Sequence, residues 1–245
     1  MRPVVGIFSL LLLISAPLFS QDFVIEESDT NDSLNKTISL IPFQNNYYRS
    51  EIDRSLAASE NLDFQALRNA LRSELDRQLF MILSDDFRVV SFLKNSTQDD
   101  QELLEYIYYS TASSYSNLET GEQVDRRILD MGQIKEAPME EDQRYMKTVI
   151  HHPPLLETLS AQLPSDLYLF IGELDILLPQ NIEEKEKNRY IYMHFTLYNA
   201  KGEIIDSGII SQVINKKKCK HIKGISMDGF APIAYQLKTR LEALN

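Results

Sequence analysis

Apolar residues recur along the chain with two periods, and the switches between them mark the elements. The first clear run is Lys36 to Phe43 (Lys-Thr-Ile-Ser-Leu-Ile-Pro-Phe), with Pro42 near its end, where a missing N–H does least harm to a strand. A polar loop follows, Gln44 to Glu60. The spacing then changes to steps of three and four. Phe64, Leu67, Leu71, Leu75, Leu79 and Ile82 fall on one side of a helix opened by Asn61 as N-cap, with Arg68, Arg72, Glu74, Asp76 and Arg77 on the other side. Ser84-Asp85-Asp86 breaks the pattern, and Phe87 to Leu93 reads as a second strand. The three segments together have about the length of a right-handed parallel crossover.

Asp99 to Ser110 predicts a helix with Leu103, Leu104, Ile107 and Tyr108 on one side. From Ser113 to Lys147 the periodicity fades, and the stretch is expected to be a surface insertion, loop or partly helical. Pro153-Pro154 opens a short helix through Leu163. Leu167 to Leu178 is almost continuously apolar, as expected of a strand in the middle of a sheet. Tyr190 to Tyr198 alternates: Ile191, Met193, Phe195 and Leu197 face one way, and Tyr190, Tyr192, His194, Thr196 and Tyr198 the other. Asn199-Ala200-Lys201-Gly202 is the turn of a hairpin that returns through Glu203 to Ile214. An amphipathic helix from Met227 to Ala243 closes the chain on Phe230, Ile233, Ala234, Leu237 and Leu241. The order is β-α-β, insertion, β-β-β-α. It predicts one α/β (α+β) domain over residues 36–245, a mixed sheet with helices packed on it and an insertion at about 113–147.

Ahead of that domain, residues 1–20 read as a signal peptide: Arg2, an apolar core from Val4 to Leu13, then Ala16 to Ser20 before Gln21. Pro17 and the polar Gln21-Asp22 leave the run short of the roughly 20 residues that a membrane span needs. Residues 21–35 form an acidic, polar leader. The only cysteine is Cys219, so this region offers none for a lipid anchor. The expected product is periplasmic, exported and not membrane-spanning once the signal is cleaved.

Composition narrows the function classes. A net charge of −11 argues against nucleic acid as a partner, since that affinity needs clustered Lys and Arg. One cysteine excludes an internal disulfide framework and any multi-cysteine zinc site. Eight glycines in 245 residues argue against a Gly-rich nucleotide fold. Neither a Gly-x-Ser-x-Gly elbow nor a Gly-x-x-x-x-Gly-Lys loop occurs.

Four features carry candidate chemistry. His151-His152 are adjacent and point to different sides, so they fit a polar cap on the Pro153 helix better than a metal site. Glu173 and Asp175, two apart on one strand, share a face. They could serve as acid and base, could mark where the strand emerges into solvent, or could pair with Lys or Arg on a neighbouring strand. Lys216, Lys217, Lys218, Lys220 and Lys223 form a basic patch around Cys219 and His221. It is either a solvated loop or a contact for an acidic partner, anionic lipid headgroups or envelope polysaccharide, and its lysines could lower the Cys219 pKa. The Gln44–Glu60 loop leaves the carboxyl end of the first strand, where α/β sheets place ligands. Asn46, Tyr47, Tyr48, Arg49, Asp53 and Arg54 make it the partner-binding candidate, unless the tyrosines merely cover the helix. No catalytic residue, metal ligand or cofactor site is assigned.

Ile41-Pro42-Phe43 ending the first strand, the long helix from Leu62 and the hairpin Leu197-Tyr-Asn-Ala-Lys-Gly-Glu-Ile-Ile205 resemble a group of exported α/β domains. These include the N-terminal domain of the translocation protein TolB and the curli-channel and penicillin-binding-protein-activator lipoproteins. The resemblance covers about two thirds of the chain after the signal. It implies a non-enzymatic envelope protein that binds an envelope protein partner. An exported hydrolase and a small-ligand-binding protein are the alternatives.

Overall fold

A computed structural model describes residues 36–94, 97–124 and 143–244, and the backbone of two short strands between 124 and 143. The expectations for residues 1–20 and 21–35 lie outside the described residues. The architecture is α/β. Five strands run in the spatial order β10 (Ile204–Asn215), β9 (Asn188–Asn199), β8 (Leu167–Leu177), β1 (Thr37–Ile41) and β3 (Arg88–Ser91). A sixth, β2 (Tyr48–Ser50), pairs with β8 beyond the end of β1. Pairs β1–β3, β1–β8 and β2–β8 are parallel, and the hairpin side is antiparallel.

The parallel crossover through α2 (Phe64–Leu83) forms as expected, with Leu67, Leu71, Leu75, Leu79 and Ile82 buried. Its start differs from the sequence expectation. Asp63, not Asn61, is the N-cap, its carboxylate accepting from Ala66 N at 2.7 Å. Asn61 instead ends α1 (Asp53–Glu60) in the left-handed region at φ 54°. Phe64 lies outside the stripe, 54% exposed.

The sheet is buried on both faces. On one, β8 and β9 side chains such as Leu169, Leu174, Ile176, Ile191, Met193 and Phe195 meet α1, α2 and α7 (Ala231–Glu242). On the other, Ile41, Tyr168, Phe170 and Tyr198 pack against α3 (Gln98–Ser110) and α4 (Pro154–Gln162). α3 is opened by a Thr97–Asp100 capping box. The last helical segment starts earlier than expected, as α6 (Ile222–Ile225) followed by a π turn, Ser226–Phe230. Pro232 has no N–H to donate into that turn, and a Cβ on Gly229 would meet Ile191 Cδ1 at 2.4 Å.

Within the stretch expected to be a surface insertion, residues 118–123 are exposed, but its two ends are strands built into the fold. β4 (Thr111–Asn117) and β7 (Arg144–Ile150) pair antiparallel, and β5 (Arg127–Asp130) pairs with β6 (Gln133–Glu136). β7 lies against β8, β9 and β10, and Arg144, Tyr145, Met146 and Thr148 are all buried. Its polar composition hid this role, because the ribbon is held by hydrogen bonds rather than by an apolar stripe. Met146 N donates to His194 Nδ1 (2.9 Å), Thr148 N to Thr196 Oγ1 (3.0 Å) and Ile150 N to Tyr198 OH (3.4 Å). Alternate side chains of β9 thus satisfy alternate backbone donors along β7.

Candidate functional site

The polar centre of the molecule lies under that ribbon, and one glycine creates it. Along β8, Leu167, Leu169 and Ile171 face the helical core; past a register shift between Ile171 and Glu173, Leu174 and Ile176 face it. Gly172 is the extra residue of the bulge. Without it, Glu173 and Asp175 would point into the apolar core, where a bare carboxylate is untenable. The bulge sends both to the ribbon side. A Cβ on Gly172 would also lie 2.8 Å from Met146 O, so glycine lets β7 cross at this point.

Register brings the remaining groups together. His194 on β9 stands opposite Glu173, and Arg49 on β2 stands opposite Asp175. Arg49 grips Asp175 with two bonds, Nε to Oδ1 at 3.1 Å and Nη2 to Oδ2 at 2.7 Å. His194 Nε2 lies 3.5 Å from Asp175 Oδ2 and 3.7 Å from Glu173 Oε2. From the ribbon, Tyr115 donates to Glu173 Oε1 at 2.8 Å, and the Arg144 guanidinium sits 4.0 Å from the Tyr115 ring centre. Glu173, Asp175 and His194 are 5%, 0% and 0% exposed.

Burial disfavours the charge on both carboxyls, but their neighbours send the two in opposite directions. Burial pushes Glu173 up, and the Asp175 charge pushes it further, against the pull of His194, Tyr115 and Arg144. Burial pushes Asp175 up as well, but its contacts with His194 and Arg49 outweigh that and hold it below the usual carboxylate range.

Ligand atoms of Glu173, Asp175 and His194 lie within 4.8 Å of one another, a spacing that one cation could span. The chemistry of the donors does not fit a metal. His194 Nδ1 accepts the Met146 N–H, so the ring proton sits on Nε2, the nitrogen that faces the carboxylates. A metal-bound histidine donates through its second nitrogen instead. Arg49 and Arg144 already supply two positive charges beside the two carboxyls. None of four surface cavities among the described residues is lined by Glu173, Asp175 or His194. The cavity bordered by Gly172 and Thr148 measures about 10 Å³, at the lower limit for one water.

The sequence-derived candidates are therefore redistributed. Of the three readings for Glu173 and Asp175, emergence into solvent is overturned by their burial, and pairing with a basic residue on a neighbouring strand is observed for Asp175, through Arg49. The Gln44–Glu60 segment is not a free loop, since it contains β2 and α1. Because β2 extends the sheet, its side chains alternate between faces. Tyr48 enters the helical core, its OH donating to Asp53 at 2.6 Å, and Arg49 enters the polar cluster. Tyr47 is half-buried, and Asn46 and Arg54 are exposed. Tyr48 is thus an interior group, which corrects its place in a partner surface, while Arg49, 37% exposed, is committed to Asp175. His152 packs edge-on against Tyr106 at 6.1 Å, and His151 is exposed; neither side chain caps α4. Cys219 is buried, and burial pushes its thiol up to about 12, the reverse of a lysine-activated thiolate. Tyr115, Arg144 and the role of His194 were missed. Only the polar face of β9 hinted at the last.

No protein family matches the chain, and no curated protein matches it. Among solved structures, a hypothetical protein from Chlamydia trachomatis aligns over 85% of this chain and 99% of its own, at 9% identity and a TM-score of 0.42.

Proposed function

We propose that the chain is an exported, non-enzymatic accessory protein of the cell envelope whose role is to bind a protein partner. One observation carries this reading: the side chains best suited to catalysis are sealed under the β4–β7 ribbon and used to hold it. A hydrolase with Glu173 and Asp175 as acid and base needs them at a cleft, and they line none of the four cavities. The apolar segment before Gln21 supports export, and the likeness of the first strand, long helix and hairpin to TolB-type domains supports an envelope role.

With Tyr48 buried and Arg49 committed to Asp175, the surface favoured for the partner is the outer side of α3 and α4. There Tyr109 stands 77% exposed and Tyr106 borders an open groove with Leu103, Thr158 and Gln162. Tyrosine supplies large contact area at little entropic cost, as binding hot spots require. The test is affinity capture of the tagged protein from crosslinked envelopes, comparing wild type with Tyr106→Ala/Tyr109→Ala. One dominant envelope protein, depleted at least ten-fold by the double variant, is expected. Undiminished capture by the variant would move the partner site elsewhere, and a blank from both would overturn the reading.

A further inference from the structure

The basic segment at the other end of the hairpin carries a second function. We propose that the turn joining β10 to α6 is a docking platform for an anionic lipid surface. Five lysines fall between Lys216 and Lys223 without an acid, in a chain of net charge −11. The structure shows that this is not a loose loop. Cys219 is buried beneath it, and Ser59 Oγ donates to Lys220 O. Glu60 accepts from Ile222 N at 3.0 Å and contacts His221 Nδ1 at 3.1 Å. A Cβ on Gly224 would come within 2.0 Å of Lys218 O, so the turn is closed tightly over the helix start. The lysines project from a fixed frame.

Two of the five are neutralised, Lys216 by Glu186 at 2.9 Å and Lys218 by Asp228 at 3.3 Å. Lys217, Lys220 and Lys223 have no ion pair among the described residues, and each is exposed. With Lys217, Lys218, His221, Lys223 and the carboxylates of Glu60 and Asp228, which are taken up by His221 and Lys218, the 57% exposed side chain of Met227 lines an open groove of about 560 Å³. Unpaired ammonium groups around an exposed apolar side chain are the chemistry of interfacial attachment, charge to headgroup and thioether to the acyl boundary.

A small phosphate ligand is a poorer match. The backbone donor that a helix start would offer it, Ile222 N, is already taken by Glu60, and the site has no arginine. The negative body of the protein does not cancel the platform, because the screening length at physiological salt is about 8 Å and the bilayer senses mainly the nearest charges. No described helix is long and apolar enough to cross a membrane, so the contact is peripheral. This inference stands apart from the partner-binding face on α3 and α4.

The experiment is co-sedimentation of the chain from Gln21 onward with phosphatidylglycerol/phosphatidylcholine vesicles and with pure phosphatidylcholine vesicles. Selective binding to the anionic vesicles is expected, falling steeply as salt is raised. At roughly five-fold per lysine, Lys217→Gln/Lys220→Gln/Lys223→Gln weakens it on the order of 100-fold. The three side chains are exposed, and an unchanged circular dichroism spectrum confirms folding. Met227→Ser weakens binding several-fold and leaves the salt dependence intact. Equal binding to both vesicle types, no binding to either, or an unaltered triple variant overturns the proposal. So does binding of soluble polyglutamate without binding of vesicles, which would identify an acidic protein as the partner.

Discussion

Arg49→Met is the most informative single change, because it keeps most of the side-chain volume and removes only the charge that faces Asp175. In the native protein the Asp175 side chain is 0% exposed, and Arg49, 37% exposed, is its bidentate partner. Breaking a buried pair by removing one member costs about 3–5 kcal/mol, since the other charge is left without a partner. Arg49 is more than a third exposed, so water can follow into part of the gap, and a loss of about 2–4 kcal/mol is expected after that discount. Asp175→Asn keeps an acceptor and leaves a guanidinium that can rehydrate, so it should cost less, about 1–2 kcal/mol. The double variant should cost little more than Asp175→Asn alone, giving a coupling of about 1.5–3 kcal/mol.

Urea unfolding followed by far-ultraviolet circular dichroism measures all three, and the chain has no tryptophan to complicate a tyrosine fluorescence check. The pH dependence has a defined sign. The folded-state pKa of Asp175 is lowered, so its contribution is present above the unfolded value of about 3.9 and is lost as pH falls through the folded value. The gap between wild type and Arg49→Met should therefore be full at neutral pH and narrow below about pH 4. A cost below about 0.5 kcal/mol for Arg49→Met, or additive single changes, would refute the argument that this pair anchors the polar centre.

Three further outcomes are expected. Burial raises Asp76 to about 6 against an opposing hydrogen bond from Ser91, so it destabilises the fold as pH rises from about 4 to 6. Asp76→Asn should add roughly 1–3 kcal/mol at pH 7 and nothing at pH 4; thermal unfolding at the two values decides it. Gly172→Ala should lower stability by about 1–3 kcal/mol through the overlap with Met146 O, with hydrogen exchange accelerated first in β7. The outer edge of β10 is screened by side chains, Gln236 on Ser211 O (3.2 Å) and Arg240 on Ser207 O (3.4 Å). Gln236→Ala/Arg240→Ala should aggregate by edge pairing, and light scattering no higher than wild type would contradict that role.

The local elements were legible because their signals are local. The four-residue steps of Leu67 to Leu79 need only a helix with one buried side. The Asn199–Gly202 turn needs only an Asn side chain that accepts from Lys201 and Glu203 and a glycine at φ 79°. The uninterrupted run of β8 needs only burial on both faces. From these, the order and class of the domain followed by composition of local parts.

What tertiary structure alone decided was how polar groups pair over long separations. Tyr47-Tyr48-Arg49 looks like an exposed aromatic-cationic patch until β2 joins β8, 126 residues away for the Arg49–Asp175 pair, and turns Arg49 inward. β7 shows no apolar period because it is bound through its backbone N–H groups, which every sequence possesses and none displays. Hydrophobic periodicity reports burial against oil-like neighbours, so it foretold α2, α3, α7 and the strands β1, β3, β8, β9 and β10, but not β2, α1 or the strands between α3 and α4. It is silent on strands buried against hydrogen-bonding side chains, and there only the packed fold, through the Gly172 bulge and the β8–β9 register, set Glu173, Asp175 and His194 beside one another.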